Sequence, residues 1–100
     1  MQTPYYAVIF TSKRTELDLG YVEMSEKMDE LAQKQEGFLG IEFARNEIGI
    51  TVSYWSSLEA IQRWKVNLDH IQAQRNGVVN WYENYTVRIA LVEREYSFQK

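Results

Sequence analysis

The chain has no cysteine and a single histidine, His70. Disulfides and thiolate chemistry are therefore excluded, and a transition-metal site is not expected, because such sites usually recruit several His, Cys or carboxylate ligands. One proline and five glycines among 100 residues leave no composition for a disordered tail or flexible linker. There is no excess of positive charge: the formal net charge is −3, which makes nucleic acid and anionic membrane surfaces poor partners. No apolar run approaches the ~20 residues that span a bilayer. The first ten residues, Met1 to Phe10, lack the basic start and cleavage site of a signal peptide. The expectation is a soluble cytoplasmic protein, read as a single domain over residues 1–100. Motifs for other chemistries are missing too: no Gly-x-Ser-x-Gly elbow, phosphate-binding glycine loop or dinucleotide fingerprint occurs.

What is present is apolar and aromatic: 45% hydrophobic residues and 14% aromatic ones, enough for one core. Tyr5 to Ser12 reads as a buried strand. A helix is predicted from near Asp18, with Tyr21, Met24, Met28 and Leu31 on its apolar stripe and Glu23, Glu26, Lys27, Glu30 and Lys34 on the solvated side. Gly37 is expected to close it as the residue after the cap, where a left-handed conformation is needed. Phe38 to Arg45 follows as a strand with Leu39, Ile41 and Phe43 on one face. Arg45-Asn46-Glu47-Ile48-Gly49 supplies turn chemistry, so this strand and Ile50 to Trp55 form an antiparallel hairpin. Ser56-Ser57-Leu58-Glu59 fits a capping box with Ser56 as the cap. Leu58, Ile61, Trp64, Leu68 and Ile71 then repeat at helical spacing, and Gly77 ends the helix. Val78 to Asn84 reads as irregular. Tyr85 to Val92 alternates as a final strand that extends toward Tyr96.

The order β-α-β-β-α-β predicts an α+β, ferredoxin-like domain with both helices on one face of a four-stranded antiparallel sheet. The other face carries many apolar side chains, more than single-chain proteins leave in water. A homodimer formed face to face is predicted.

The segments Gly37-Phe38-Leu39-Gly40, Ile50-Thr51-Val52-Ser53-Tyr54-Trp55, Ser56-Ser57-Leu58-Glu59-Ala60 and Trp64-Lys65 resemble those of the antibiotic biosynthesis monooxygenase family of dimeric α+β barrels, in particular its small stand-alone members in bacilli. The resemblance covers nearly the whole chain. It implies a monooxygenase acting on a small aromatic or polycyclic substrate without cofactor. The alternative is a non-catalytic dimer that binds or senses a small ligand. The haem-degrading branch of that family relies on an Asn in the first strand, a Trp in the second helix and a His about three turns later. Trp64 matches the Trp, but Phe10 and Thr11 stand where the Asn would be. Gln74 stands where the His would be, so haem degradation is not implied.

Candidate catalytic residues are Trp64, His70 and Arg88, and candidate pocket residues are Phe10, Tyr54, Trp64 and Trp81. Trp64 is either a core residue or a cavity wall. His70 is either a solvated histidine or a general base with a suitable ordinary pKa. Arg88, mid-strand on an apolar face, either pairs with Glu42 or another strand carboxylate, or anchors an acidic or oxygen-rich substrate. Trp81, Tyr82 and Tyr85 read mainly as core or dimer-seam aromatics.

Overall fold

Apolar alternation and two helical stripes fold into one sheet with two helices on it. In the computed structural model the order is β1 (Tyr5–Arg14), α1 (Tyr21–Gln33), β2 (Phe38–Arg45), β3 (Gly49–Trp55), α2 (Leu58–Arg75) and β4 (Tyr82–Val92). The structure describes residues 1–16, 20–75 and 81–100, with side chains described over 1–16, 20–69 and 81–100. The four strands form an antiparallel sheet in the order β2-β3-β1-β4, the ferredoxin-like arrangement. Among the described residues no helix is long and apolar enough to cross a membrane.

Strand register sorts the side chains into two faces, because residues paired across a ladder point the same way. The helix-facing side carries cross-sheet rows. Phe38, Trp55, Tyr6 and Leu91 make the first, Ile41, Ser53, Val8 and Ile89 the second. Phe43, Thr51, Phe10 and Val87 make the third, and Arg45, Gly49, Ser12 and Tyr85 the fourth. The core sits where α2 meets the first two rows: Trp55 is fully buried and packs with Ala60 and Ile61, against which Tyr6, Val8, Phe38 and Trp64 close. The Trp55 indole N–H, which would be costly to bury unpaired, donates to Ser53 Oγ at 2.9 Å.

Several expectations shift by a residue or more. The cap of α2 is Ser57 and not Ser56: the Ala60 amide donates to Ser57 Oγ at 3.1 Å, and Glu59 falls one position short of closing a capping box. Ser56 instead uses its backbone, its N–H donating to the Gly37 carbonyl at 2.8 Å. Gly37 is left-handed as predicted (φ 88°), yet it lies beyond the helix cap, which is Lys34. Its lack of a side chain matters for a second reason. A Cβ there would stand 2.6 Å from the Ala60 Cβ and 2.9 Å from Ser56 Oγ, so the start of α2 rests on bare backbone.

The helix α1 starts at Tyr21 behind a left-handed Gly20, with no side-chain cap; the predicted cap Asp18 lies outside the described residues. Leu39 is the extra residue of a bulge, since Phe38 pairs with Trp55 and Gly40 with Tyr54, so Phe38 takes the inward place expected of Leu39. Leu58, the first residue of α2, is half exposed, while Ala60 takes the buried place beside Ile61. Tyr82 to Asn84 belong to β4 and not to an irregular stretch; the strand stops at Val92, short of Tyr96.

Candidate functional site

On the helix side, β4 presents Tyr85, Val87, Ile89 and Leu91, each about half exposed although all four are apolar or aromatic. They are the outermost members of the four rows, the first two of which lead inward to the core under α2. The result is an apolar shelf along the sheet edge, continuous with Phe10 and Val8 on β1. Phe10 stacks on Tyr85 (centroids 5.4 Å apart) and meets Tyr82 edge-on at 5.5 Å. Trp64 lies over the sheet at the other end of this face, stacked on Trp55 at 6.2 Å. It is half-buried and closes the core of Trp55, Ala60 and Ile61.

The candidate pocket residues therefore do not share one cavity. Phe10 and Trp64 belong to the helix side. Tyr54 projects from the opposite face, where it meets Tyr5 edge-on at 5.7 Å and donates its hydroxyl to Glu42 at 2.8 Å. The sheet itself separates Tyr54 from the other two, by the two-residue period of strand side chains. Trp81 is buried at the far corner, edge-on to Tyr21 at 5.7 Å, and its carbonyl accepts from the Thr15 amide at 2.9 Å and from Arg14 Nε at 3.2 Å. That is a structural corner joining β1 to the start of β4.

Of the candidate catalytic residues whose side chains are described, Trp64 is the one on the helix side. Arg88 pairs in register with Ile9 and points away from the helices. It shares a row with Glu42, but two strands lie between them, three strand spacings or roughly 14 Å. The expected Arg88–Glu42 pair within one chain is thus ruled out, and Glu42 takes the Tyr54 hydroxyl instead. The side chain of His70, like that of Gln74, lies outside the described residues.

Near the fourth row Tyr82 and Tyr21, read from the sequence as core or dimer-seam and helix-stripe aromatics, gather with residues not singled out there. Tyr82 donates to the Tyr21 hydroxyl at 3.4 Å. Burial, helped by that bond, pushes the Tyr82 phenol well above its ordinary pKa, so it stays protonated at any working pH. The Arg14 guanidinium lies 3.4 Å over the Tyr21 ring. Arg45 donates to the buried Ser12 Oγ at 2.5 Å. Between α1 and the β2–β3 hairpin lies a cleft of about 160 Å³ lined by Tyr21, Ser25, Asp29, Phe43, Arg45 and Thr51. The only sequence signal for this group was position: Ser12 ends the apolar run of β1, and Gly49 and Arg45 bracket the hairpin turn. Among the described residues no three His, Cys, Asp or Glu side chains are grouped to hold a metal ion.

Comparison with known proteins places this geometry. The chain is 48% identical to the uncharacterised protein YqjZ of Bacillus subtilis over 101 aligned positions, 99% of this chain and 89% of that protein. No family model matches the chain. Among solved structures, a proposed antibiotic biosynthesis monooxygenase from Nitrosomonas europaea superposes with a TM-score of 0.71 at 12% identity, covering 96% of this chain and 95% of that one. SnoaB, a cofactor-independent oxygenase from Streptomyces nogalater, does so with a TM-score of 0.66 at 12% identity, covering 98% of this chain and 100% of that one.

Proposed function

This chain belongs to the family of Bacillus subtilis YqjZ and has the fold of the antibiotic biosynthesis monooxygenases, and from that premise we propose that it is a monooxygenase for a small aromatic or polycyclic substrate. The observation that carries the proposal is the half-exposed apolar shelf of Tyr85, Val87, Ile89 and Leu91, flanked by Phe10, with Trp64 half-buried on the same side of the sheet. Each such side chain left in water forgoes part of the ~1.5–3 kcal/mol that full burial contributes. A flat ring system laid on the shelf recovers that burial and is held against aromatic neighbours.

The chemistry asks little of the protein beyond position. An electron-rich phenolic substrate can itself reduce dioxygen, so no cofactor is needed; SnoaB, of the same fold, is a cofactor-independent oxygenase. The shelf would exclude water and orient the ring. For negative charge that develops on the substrate, the Tyr82 hydroxyl beside Phe10 is already committed, donating to Tyr21. Arg88 cannot serve that charge, because it stands on the other side of the sheet.

That other side supports the homodimer. Ile9 and Val52 are apolar there, in a row with Arg88 at one end and Glu42 at the other, and Ile50 lies in the next row. A two-fold axis lying between the two faces and parallel to the strands brings the Arg88 edge of one copy over the Glu42 edge of its mate, an isologous contact with matched charge. Sedimentation should give twice the 11.9 kDa chain mass. The Arg88→Glu variant should dissociate at lower dilution than the native protein.

The decisive experiment is turnover of a panel of hydroquinones and anthrones with and without oxygen. Oxygen-dependent product that falls roughly tenfold or more in Trp64→Ala supports the enzyme. Saturable binding without oxygen consumption would instead assign the shelf to a non-catalytic ligand-binding dimer. Titration with haem is expected to leave the Soret band of free haem unshifted.

A further inference from the structure

The cleft between α1 and the β2–β3 hairpin lies apart from the shelf and has its own chemistry. One wall is a ladder on α1, Tyr21, Ser25 and Asp29, spaced four residues apart so that they stack on one helix face. The other wall is the sheet: Phe43 and Arg45 from β2, Thr51 from β3. Arg45 is seated there by two features of the fold. Its guanidinium donates to Ser12 Oγ, a hydroxyl 2% exposed on the central strand. It also lies across Gly49, where any Cβ would overlap the guanidinium itself. Arg45, an exposed residue at a sheet edge, is thus laid back across the sheet by these two contacts.

Asp29 faces the same space from α1. Among the described residues it has neither a hydrogen-bond donor nor a cation in ion-pair contact, and Arg45 likewise pairs with no carboxylate. Burial and the neighbouring Glu26 hold the Asp29 carboxyl above the ordinary carboxylate range, as expected for an acid without its counter-charge. One cleft therefore holds an acid and a base on opposite walls that do not close on each other. Both are kept apart by what anchors them: the helix on one side, Ser12 and Gly49 on the other.

We propose that this cleft binds a small zwitterion of the amino-acid type, its carboxylate on Arg45 and its ammonium on Asp29. Charge-assisted hydrogen bonds at both ends would complete two groups that the fold leaves half-satisfied. Ser25 and Thr51 offer hydroxyls between them, and Tyr21 and Phe43 offer apolar contact for a side chain. The volume, about 160 Å³, corresponds to about five waters and suits a molecule the size of valine or leucine. A simple carboxylic acid would leave Asp29 facing a like charge, and a simple amine would do the same to Arg45, so both charges are required together.

The test is an amide-resolved NMR titration of the full chain with L-alanine, L-valine, L-leucine and L-phenylalanine. Isovalerate and isobutylamine, which are valine without its amine and without its carboxylate, serve as controls. The expected result is saturable shifts at Ser25, Asp29, Arg45 and Thr51 with at least one amino acid, and binding at least tenfold weaker for both controls. Asp29→Asn and Arg45→Gln should each lose tenfold or more while keeping native spectral dispersion. Gly49→Ala, which keeps both charges but displaces the Arg45 side chain, should lose affinity as well. The proposal is overturned if no amino acid gives saturable shifts below about 10 mM, if isovalerate binds as well as valine, or if Asp29→Asn binds undiminished. None of these readouts involves oxygen, so they stand or fall separately from the shelf.

Discussion

The corner where β3 runs into α2 and the outer strand β4 are built from similar residues and end in opposite conditions. Trp55, Ala60 and Ile61 are buried to 7% exposure or less, whereas Val87, Ile89 and Leu91 on the same sheet face keep 48–53% of their surface in water. Both stretches alternate or repeat as a buried element should. The difference comes from place in the sheet: β3 is an inner strand with a helix folded directly back on it, and β4 is an edge strand beyond the reach of that helix. Hydrophobic pattern sets which way a side chain points. Neighbours set how much of it is covered, and uncovered apolar surface is where a ligand or a second chain can act.

This contrast can be broken most forcefully at Trp55. Trp55→Ala should cost about 3–5 kcal/mol, a large share of the ~5–15 kcal/mol that holds a domain of this size. Ile89→Ala should cost about 1 kcal/mol, since half of that side chain is already in water. Urea denaturation of the two variants checks both, and equal losses would erase the distinction between corner and edge.

Gly37 tests the corner from its backbone. Gly37→Ala must place a Cβ in a left-handed residue and against Ala60 and Ser56. A loss of about 2 kcal/mol or more in the same assay is expected. A smaller effect separates the two serines. Ser57→Ala should cost about 1 kcal/mol through loss of the α2 cap, and Ser56→Ala close to nothing through its side chain. The reverse order would restore the capping box read from the sequence.

The smallest effect belongs to the edge. Tyr5 at the start of β1 donates its hydroxyl to Glu95, in the segment after β4, at 2.6 Å, and the amino group of Met1 lies 3.4 Å from the same carboxylate. The bond to Glu95 raises the Tyr5 phenol from 10.0 to about 12, and the bond from Tyr5 holds Glu95 below its ordinary 4.5. The signs follow from linkage. A raised phenol stabilises fully below pH 10.0 and loses its contribution as pH climbs toward about 12. A lowered carboxylate stabilises above pH 4.5 and loses its contribution as pH falls through the folded value. The difference in thermal midpoint between the native chain and Tyr5→Phe should therefore be level from about pH 5 to pH 10 and shrink outside that window. A difference that stays constant to pH 12 would show that the hydroxyl does not hold this segment.

Much of this architecture was legible in the residues. The element order, the hairpin at Arg45–Gly49 and the glycine before β2 follow from period, turn chemistry and the conformational freedom of glycine. The misreadings were local. A bulge at Leu39 moved Phe38 inward, and the cap fell on the second of two adjacent serines, because neither event changes the composition of its segment. For the functional residues, linear pattern carried less. Trp64 was found because it lies on a helical stripe. Tyr54 and Arg88 were grouped with it until strand parity put them on the opposite face. That Asp29 and Arg45 face one cleft had no sequence signal, as they stand 16 positions apart on different elements with the Leu39 bulge in between.

The sequence by itself determined the kinds of elements and their order, because backbone periodicity, capping and turn preferences act over a few residues at a time. Tertiary structure alone decided which apolar surfaces stay open, which face each aromatic joins, and which charges meet or are kept apart. Those outcomes depend on strand register and helix placement, where a shift of one residue moves a side chain through the sheet.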